Sequence, residues 1–264
     1  MNAITTESTA TLDMPLLRLL RAYLIDAKYE ALRMLRAPAF AIPFLVIPVP
    51  VYLLFGVLMV GEAGRRNPHI YDILFLGFSV MAVMGPAIFG VGSTLAPERD
   101  AGLMKLKRAM PAPAGSYIIA KLLMSMFFSC LAFGTVVVTA KIVGRITFTY
   151  PELLSLLPVM VLGALPFCAL GLLIGCYFSG GAAPAITNLI YLPMIWLGGL
   201  FVPLPAFLQK WVVIWPAYHL QQVAVAVAGL DKYSVLRPQI SVAVLLAITV
   251  VCGGLAIRRL ARVG

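Results

Sequence analysis

Six stretches of this chain, at about 39–60, 73–96, 122–140, 153–178, 182–201 and 239–257, contain no Asp, Glu, Lys or Arg. Each is close to the about 20 apolar residues that an α-helix needs to cross the hydrocarbon of a bilayer. Inside hydrocarbon every backbone N–H and C=O must be satisfied within the protein, and a helix does this segment by segment. Composition agrees: 62% of residues are hydrophobic and 11% charged, where a soluble domain carries about 25% charged. The expected fold is therefore an all-α integral membrane protein with six transmembrane helices, forming one domain over residues 16–264. Residues 1–15 are polar and Thr-rich and read as a disordered tail. Pro43, Pro48, Pro50, Pro86, Pro158, Pro166 and Pro193 lie inside the apolar stretches and predict kinks or helix starts.

A net charge of +10 raises the possibility of nucleic acid. The basic residues instead flank the apolar stretches and form no basic face with interleaved aromatics, so nucleic acid is excluded as a partner and membrane lipid is expected. If the N-terminus is cytoplasmic, 13 of the 20 basic residues fall inside, which places both termini in the cytoplasm. Residues 16–37 carry Leu17, Leu20, Leu24, Ala27, Ala31 and Leu35 at helical spacing, with Arg18, Arg21, Lys28, Arg33 and Arg36 on other faces. Glu30 and Arg33 are spaced to pair one turn apart. This pattern predicts an amphipathic interfacial helix along the membrane surface, with a solvated helix against a soluble domain as the alternative.

Between the second and third stretches lies a charged island, 97–115. Glu98, Arg99 and Asp100 are the first charges after 25 residues without one. A helix-friendly run follows, which Pro111 and Pro113 end. Glu98 and Asp100 are expected near the N-terminus of that helix and Lys105, Lys107 and Arg108 near its C-terminus, matching the helix dipole. The last external connection, 203–230, holds Pro203, Pro205, Trp211, Trp215, Pro216, Tyr218 and His219, then an apolar run. It reads as a re-entrant segment of two half-helices broken at Trp215-Pro216, with an amphipathic surface loop as the alternative.

Absent motifs narrow the function. The chain has no G-x-x-x-x-G-K-[ST], so it cannot cradle a nucleoside triphosphate in the P-loop manner, and no H-E-x-x-H. Its four cysteines lie in apolar stretches without metal-ligand spacing. His69 and His219 read as interfacial residues. The six stretches also lack the acidic residues that ion-coupled transporters use at membrane depth. Energy for transport would therefore enter from outside the membrane domain.

Four features carry a family resemblance over Leu16 to Arg262. They are the amphipathic helix leading through Arg36-Ala-Pro38 into a proline-containing span, Glu98-Arg-Asp-Ala-Gly102 followed by Leu106 and Pro111, Gly198-Gly-Leu-Phe-Val-Pro203, and Trp215-Pro216-x-Tyr218. In this order they resemble the permease subunits of ABC-2-type transporters; Gly198 departs from the Ser that many members carry. The resemblance implies half of a type V exporter: two permease copies, expected as a homodimer, with two cytoplasmic ABC ATPase subunits. The permease would be no enzyme and would hold no cofactor of its own, ATP and Mg being bound by the partner. Glu98, Arg99, Asp100, Gly102, Leu106 and Arg108 would form the ATPase-coupling loop, with Glu98 and Arg99 in direct contact. Arg18, Arg21, Lys28, Arg33 and Arg36 would lie on the connecting helix. Gly199, Phe201, Pro203, Trp211, Trp215, Pro216 and Tyr218 would form the re-entrant gate. The site of action would be the bacterial inner membrane, and the cargo an amphiphilic, drug-like or lipid-linked molecule. An ion-coupled secondary multidrug transporter and a non-transporting membrane scaffold are the alternatives.

Overall fold

The computed structural model describes residues 16–109, 115–201, 208 and 210–263. The expected tail 1–15 and Pro111, Pro113, Pro203 and Pro205 lie outside the described residues. Among the described residues all regular secondary structure is helical, with no strand. Helix α1 (Leu16–Leu35) ends where Pro38 forces Ala37 into an extended conformation (φ −95°, ψ 94°). The first apolar stretch then runs over Pro38–Leu58 in three pieces: α2 (Pro38–Leu45), α3 (Pro48–Val51) and a π-helical segment, Tyr52–Leu58. Pro48 and Pro50 remove backbone donors, which accounts for the interruption after Leu45. A short helix, α4 (Gly61–Arg66), follows this stretch.

Helix α5 (His69–Asp100) is the centre of the molecule. Its most apolar window is 83% buried, against 17% for that of the last helix. Its neighbours are α6 (Leu103–Ala109), α7 (Ser116–Val143), α8 (Tyr150–Leu162), α9 (Leu165–Tyr177) and α10 (Ala183–Leu197), followed by α11 (Pro216–Val227) and α12 (Pro238–Val263). Five helical stretches are long and apolar enough to cross a membrane: Pro38–Leu58, α5, α7, α8 with α9, and α12. The 15-residue α10 is shorter.

Several helices run past the uncharged stretches and carry charges with them. Asp72 lies in the first turn of α5 and is fully buried, and Lys121 lies in α7 and is fully buried. The Glu98–Asp100 triplet is likewise the last turn of α5. This corrects the expectation that the acids open the loop helix: α6 begins three residues later, after a turn at Gly102 (φ 74°).

Close backbone approaches fix the packing around α5. A Cβ on Gly171 of α9 would lie 2.5 Å from the carbonyl oxygen of Ile88, so α5 and α9 touch through backbone there. At the other end, a Cβ on Gly77 would lie 2.0 Å from the carbonyl oxygen of Leu200, which also accepts from Gln221 Nε2. Phe201, the next residue, stacks on Phe78 with centroids 4.2 Å apart. Gly77 thus seats the segment after α10 on the central helix. Gly77→Ala is expected to destabilise the protein by about 1–3 kcal/mol through overpacking, read as a lower thermal midpoint in detergent.

Candidate functional site

The charged island is tied into the bundle on two sides. On one side, α1, the end of α5 and the start of α7 meet around Lys121. Its ammonium donates to Glu30 Oε1 of α1 at 2.7 Å and to Thr94 Oγ1 of α5 at 2.9 Å, and lies 3.2 Å from Glu98 Oε2. Arg33 Nη2 pairs with Glu30 at 2.8 Å and also reaches Glu98, which accepts in addition from the Tyr117 hydroxyl. Two acids face two bases, so the cluster is neutral. Removing charges from water is costly, and such a cluster stands only because each charge is paired and hydrogen-bonded.

Arg99 and Asp100 turn the other way. Helix α9 ends with carbonyls that have no intrahelical donor. Arg99 donates to three of these acceptors: the oxygens of Gly175 and Phe178 at 2.9 Å each, and that of Cys176. Asp100 accepts from Arg99 Nη2 at 2.9 Å and from the Gly180 backbone N–H at 2.7 Å. A guanidinium over a helix C-terminus complements the negative dipole end as well as the bare carbonyls. It also offsets the two acids that close α5 against their own helix dipole. Three consecutive residues therefore join α5 to α1 and α7 on one side and to the α9–α10 turn on the other.

The other expected coupling residues are more open. Nothing lies within 4 Å of a Cβ placed on Gly102, and Leu106 is exposed. Arg108 lies in α6, and its side chain falls outside the described residues. On α1, Arg18, Arg21, Lys28 and Arg36 are exposed, and only Arg33 joins the cluster.

At the opposite end of the bundle, Trp215 is extended (φ −89°, ψ 123°) and Pro216 opens α11, so the chain breaks where the sequence places the break. Pro216 and Tyr218 are buried in α11, while Trp211 is exposed. Gly199 adopts positive φ (67°), and Phe201 borders a groove of about 670 Å³ lined by Phe55, Leu74, Met81 and Trp196. Pro203 lies outside the described residues. His219 is buried, with Nε2 2.8 Å from the Val213 oxygen and Nδ1 3.3 Å from Ser241 Oγ. Gln222 accepts from the backbone N–H of Val235 at 2.9 Å. Asp72 accepts from the Thr147 N–H at 2.8 Å and the Thr147 hydroxyl at 2.6 Å. Each of these polar side chains pins a connection to a helix.

Sequence reasoning counted Lys121 only as a topology marker and passed over Tyr117, Thr94 and Asp72. A visible signal existed for Lys121. It lies immediately before an uncharged stretch, where helix continuation would carry it inward.

Residues 21–230, most of the chain, match the description ABC-2 type transporter. The chain belongs to this family. It is also 27% identical over 194 residues to the Bacillus subtilis (strain 168) protein named "Putative transport permease YvfS", covering 72% of this chain and 78% of that one. The chain is thus a multi-pass membrane transport permease, and membership of this family implies an ABC ATPase partner.

The permease depends on the buried cluster more than on any surface pair. Lys121→Ala leaves Glu30 and Glu98 without their buried ammonium and should cost about 3–5 kcal/mol. Removing the exposed Glu62–Arg66 pair should cost at most about 1 kcal/mol. Chemical denaturation of both variants in the same detergent checks the contrast.

Proposed function

We propose that the permease is the membrane half of an ATP-driven exporter, with the segment from Glu98 to Gly115 receiving the stroke of a separate ATPase. The observation that carries this reading is the placement of Glu98-Arg99-Asp100. The triplet ends the most buried helix and is bonded to three others, so a force applied at α6 reaches α1, α7 and α9 through short, charge-assisted contacts. Glu98 and Arg99 would act chiefly by holding these helices in register, leaving exposed Leu106 and the open turn at Gly102 as the surface offered to the partner.

In this reading α10 completes six spans, although at about 22 Å it is shorter than the bilayer core. The 97–115 end faces the cytoplasm of a bacterial inner membrane, in keeping with its share of basic residues. Helix α1 lies at the membrane surface, and 203–230 dips into the outer leaflet. Two permease copies would form a homodimer with two ATPase subunits, which bind ATP and Mg. The apolar groove bordered by Phe55, Met81 and Trp196 suits an amphiphilic, drug-like or lipid-linked cargo.

The test is export by the reconstituted permease–ATPase complex. Arg99→Lys keeps the charge and loses the fork that spans the α9 carbonyls. It should assemble normally yet lower ATP-dependent export about tenfold, within the ~1–3 kcal/mol common for coupling free energies. Wild-type export rates in Arg99→Lys and Glu98→Gln would sink the assigned role. Export that survives loss of ATP hydrolysis but stops with a protonophore would identify a secondary transporter. Partner binding without any export would identify a scaffold.

A further inference from the structure

The apolar stripe of α1 is only partly covered. Its inner flank packs on α7, where Ala27 and Met34 are buried and Met34 joins Met124 and Phe128. The outer part of the stripe stays open: Leu17 is 80% exposed and Leu24 62%. Between the two flanks runs a groove of about 280 Å³, floored by Leu24, Ala27, Ala31 and Leu35 of α1 and by Leu123 and Phe127 of α7. Lys28 stands on its rim. Among the described residues Lys28 and Arg21 make no ion pair. Seven residues apart, they lie on nearly the same face of the helix. The acids of α1, Asp26 and Glu30, lie on the far side, and Glu30 is occupied by Lys121 and Arg33.

We infer that this groove is a binding site for one anionic phospholipid. An acyl chain fills the trough between α1 and α7, and Lys28, with Arg21 above it, holds the headgroup phosphate. Charge complementarity selects this occupant. The trough is apolar and has two unpaired cations at one edge, which fits a molecule with an apolar tail and a negative head. The groove lies between the same two helices, α1 and α7, that Glu30 and Lys121 join. A bound tail would therefore brace α1 against α7 where the two ionic helices meet. The proposal rests on α1 lying at the membrane surface, and it is independent of any ATPase.

The experiment uses the full-length permease in nanodiscs of phosphatidylcholine and phosphatidylglycerol in equal parts. Lipids retained on release are counted by native mass spectrometry. Wild type should retain phosphatidylglycerol preferentially. Lys28→Ala should weaken that retention about fivefold, as expected for one cation near an anionic surface. Ala31→Trp, which fills the trough, should abolish retention. Equal retention of both lipids, or phosphatidylglycerol binding unchanged in both variants, overturns the site. If Ala31→Trp breaks a permease dimer instead and leaves lipid retention intact, the groove is a contact between copies and the proposal falls. A nitroxide on Leu17→Cys separates the two premises. Quenching by a lipid-soluble reagent places α1 at the membrane whether or not the lipid count changes. Quenching only by a water-soluble reagent overturns the placement itself.

Discussion

A single ammonium, Lys121 Nζ, sits where three helices would otherwise repel or drift. Without it, Glu30 and Glu98 would bring two buried carboxylates together, and the tie from Lys121 of α7 to Glu30 of α1 would be lost. With it, and with Arg33 completing the charge count, the cluster is neutral and each member has at least two partners. In hydrocarbon, apolar side chains give helices little reason to choose one neighbour over another, because lipid tails are as apolar as leucine. Directional polar contacts at the helix ends therefore carry much of the specificity. The apolar surface of α12, with Leu246, Val250 and Val251 exposed, suits contact with lipid.

The same logic operates at the far end, chiefly through hydrogen bonds to backbone. Asp72 at the start of α5 holds Thr147, and α11 uses His219, Gln221 and Gln222 to hold connections on either side of it. The central helix is thus tied at both termini, by ions at one and chiefly by hydrogen bonds to backbone at the other. Its middle makes close backbone contacts instead, as at Gly171 against Ile88.

Much of this was legible in the sequence, and the exceptions have a common cause. Uncharged stretches mark helix interiors well, because a bare charge in hydrocarbon is expensive. They mark helix ends poorly. A paired charge loses most of that penalty, so α5 continues through Glu98 to Asp100 and α7 begins five residues before Lys121. The pairing itself joins residues as far apart as Glu30 and Lys121, and no local pattern announces it. Glu30 with Arg33, one turn apart, was readable because helix geometry alone brings them together. The break at Trp215-Pro216 was readable for a similar reason, since proline restrains the residue before it. Arg99 over the end of α9 was not, because its partners are backbone carbonyls and carry no side-chain signature.

Under the proposed role, these features would also decide where the permease bends. Helix α5 stays helical through Pro86 and Pro97 and is held at both ends. The stretches beside it are not continuous. Pro38–Leu58 is broken after Leu45 and passes into a π-helical segment, and the fourth stretch is broken at Gly163-Ala164. Into that second break α11 inserts Leu220, whose Cδ1 lies 2.2 Å from where a Cβ on Gly163 would be. Sharp bends in helices localise at interruptions of the hydrogen-bond ladder such as prolines and π-bulges. A displacement entering at Glu98–Asp100 would therefore carry α5 as a body and be absorbed at the two breaks. The π-helical segment that follows the first break borders the large apolar groove through Phe55, and the second break lies against α11. Under the proposed role, the long α5 flanked by interrupted helices would let a force at the charged end change a cavity nearer the other.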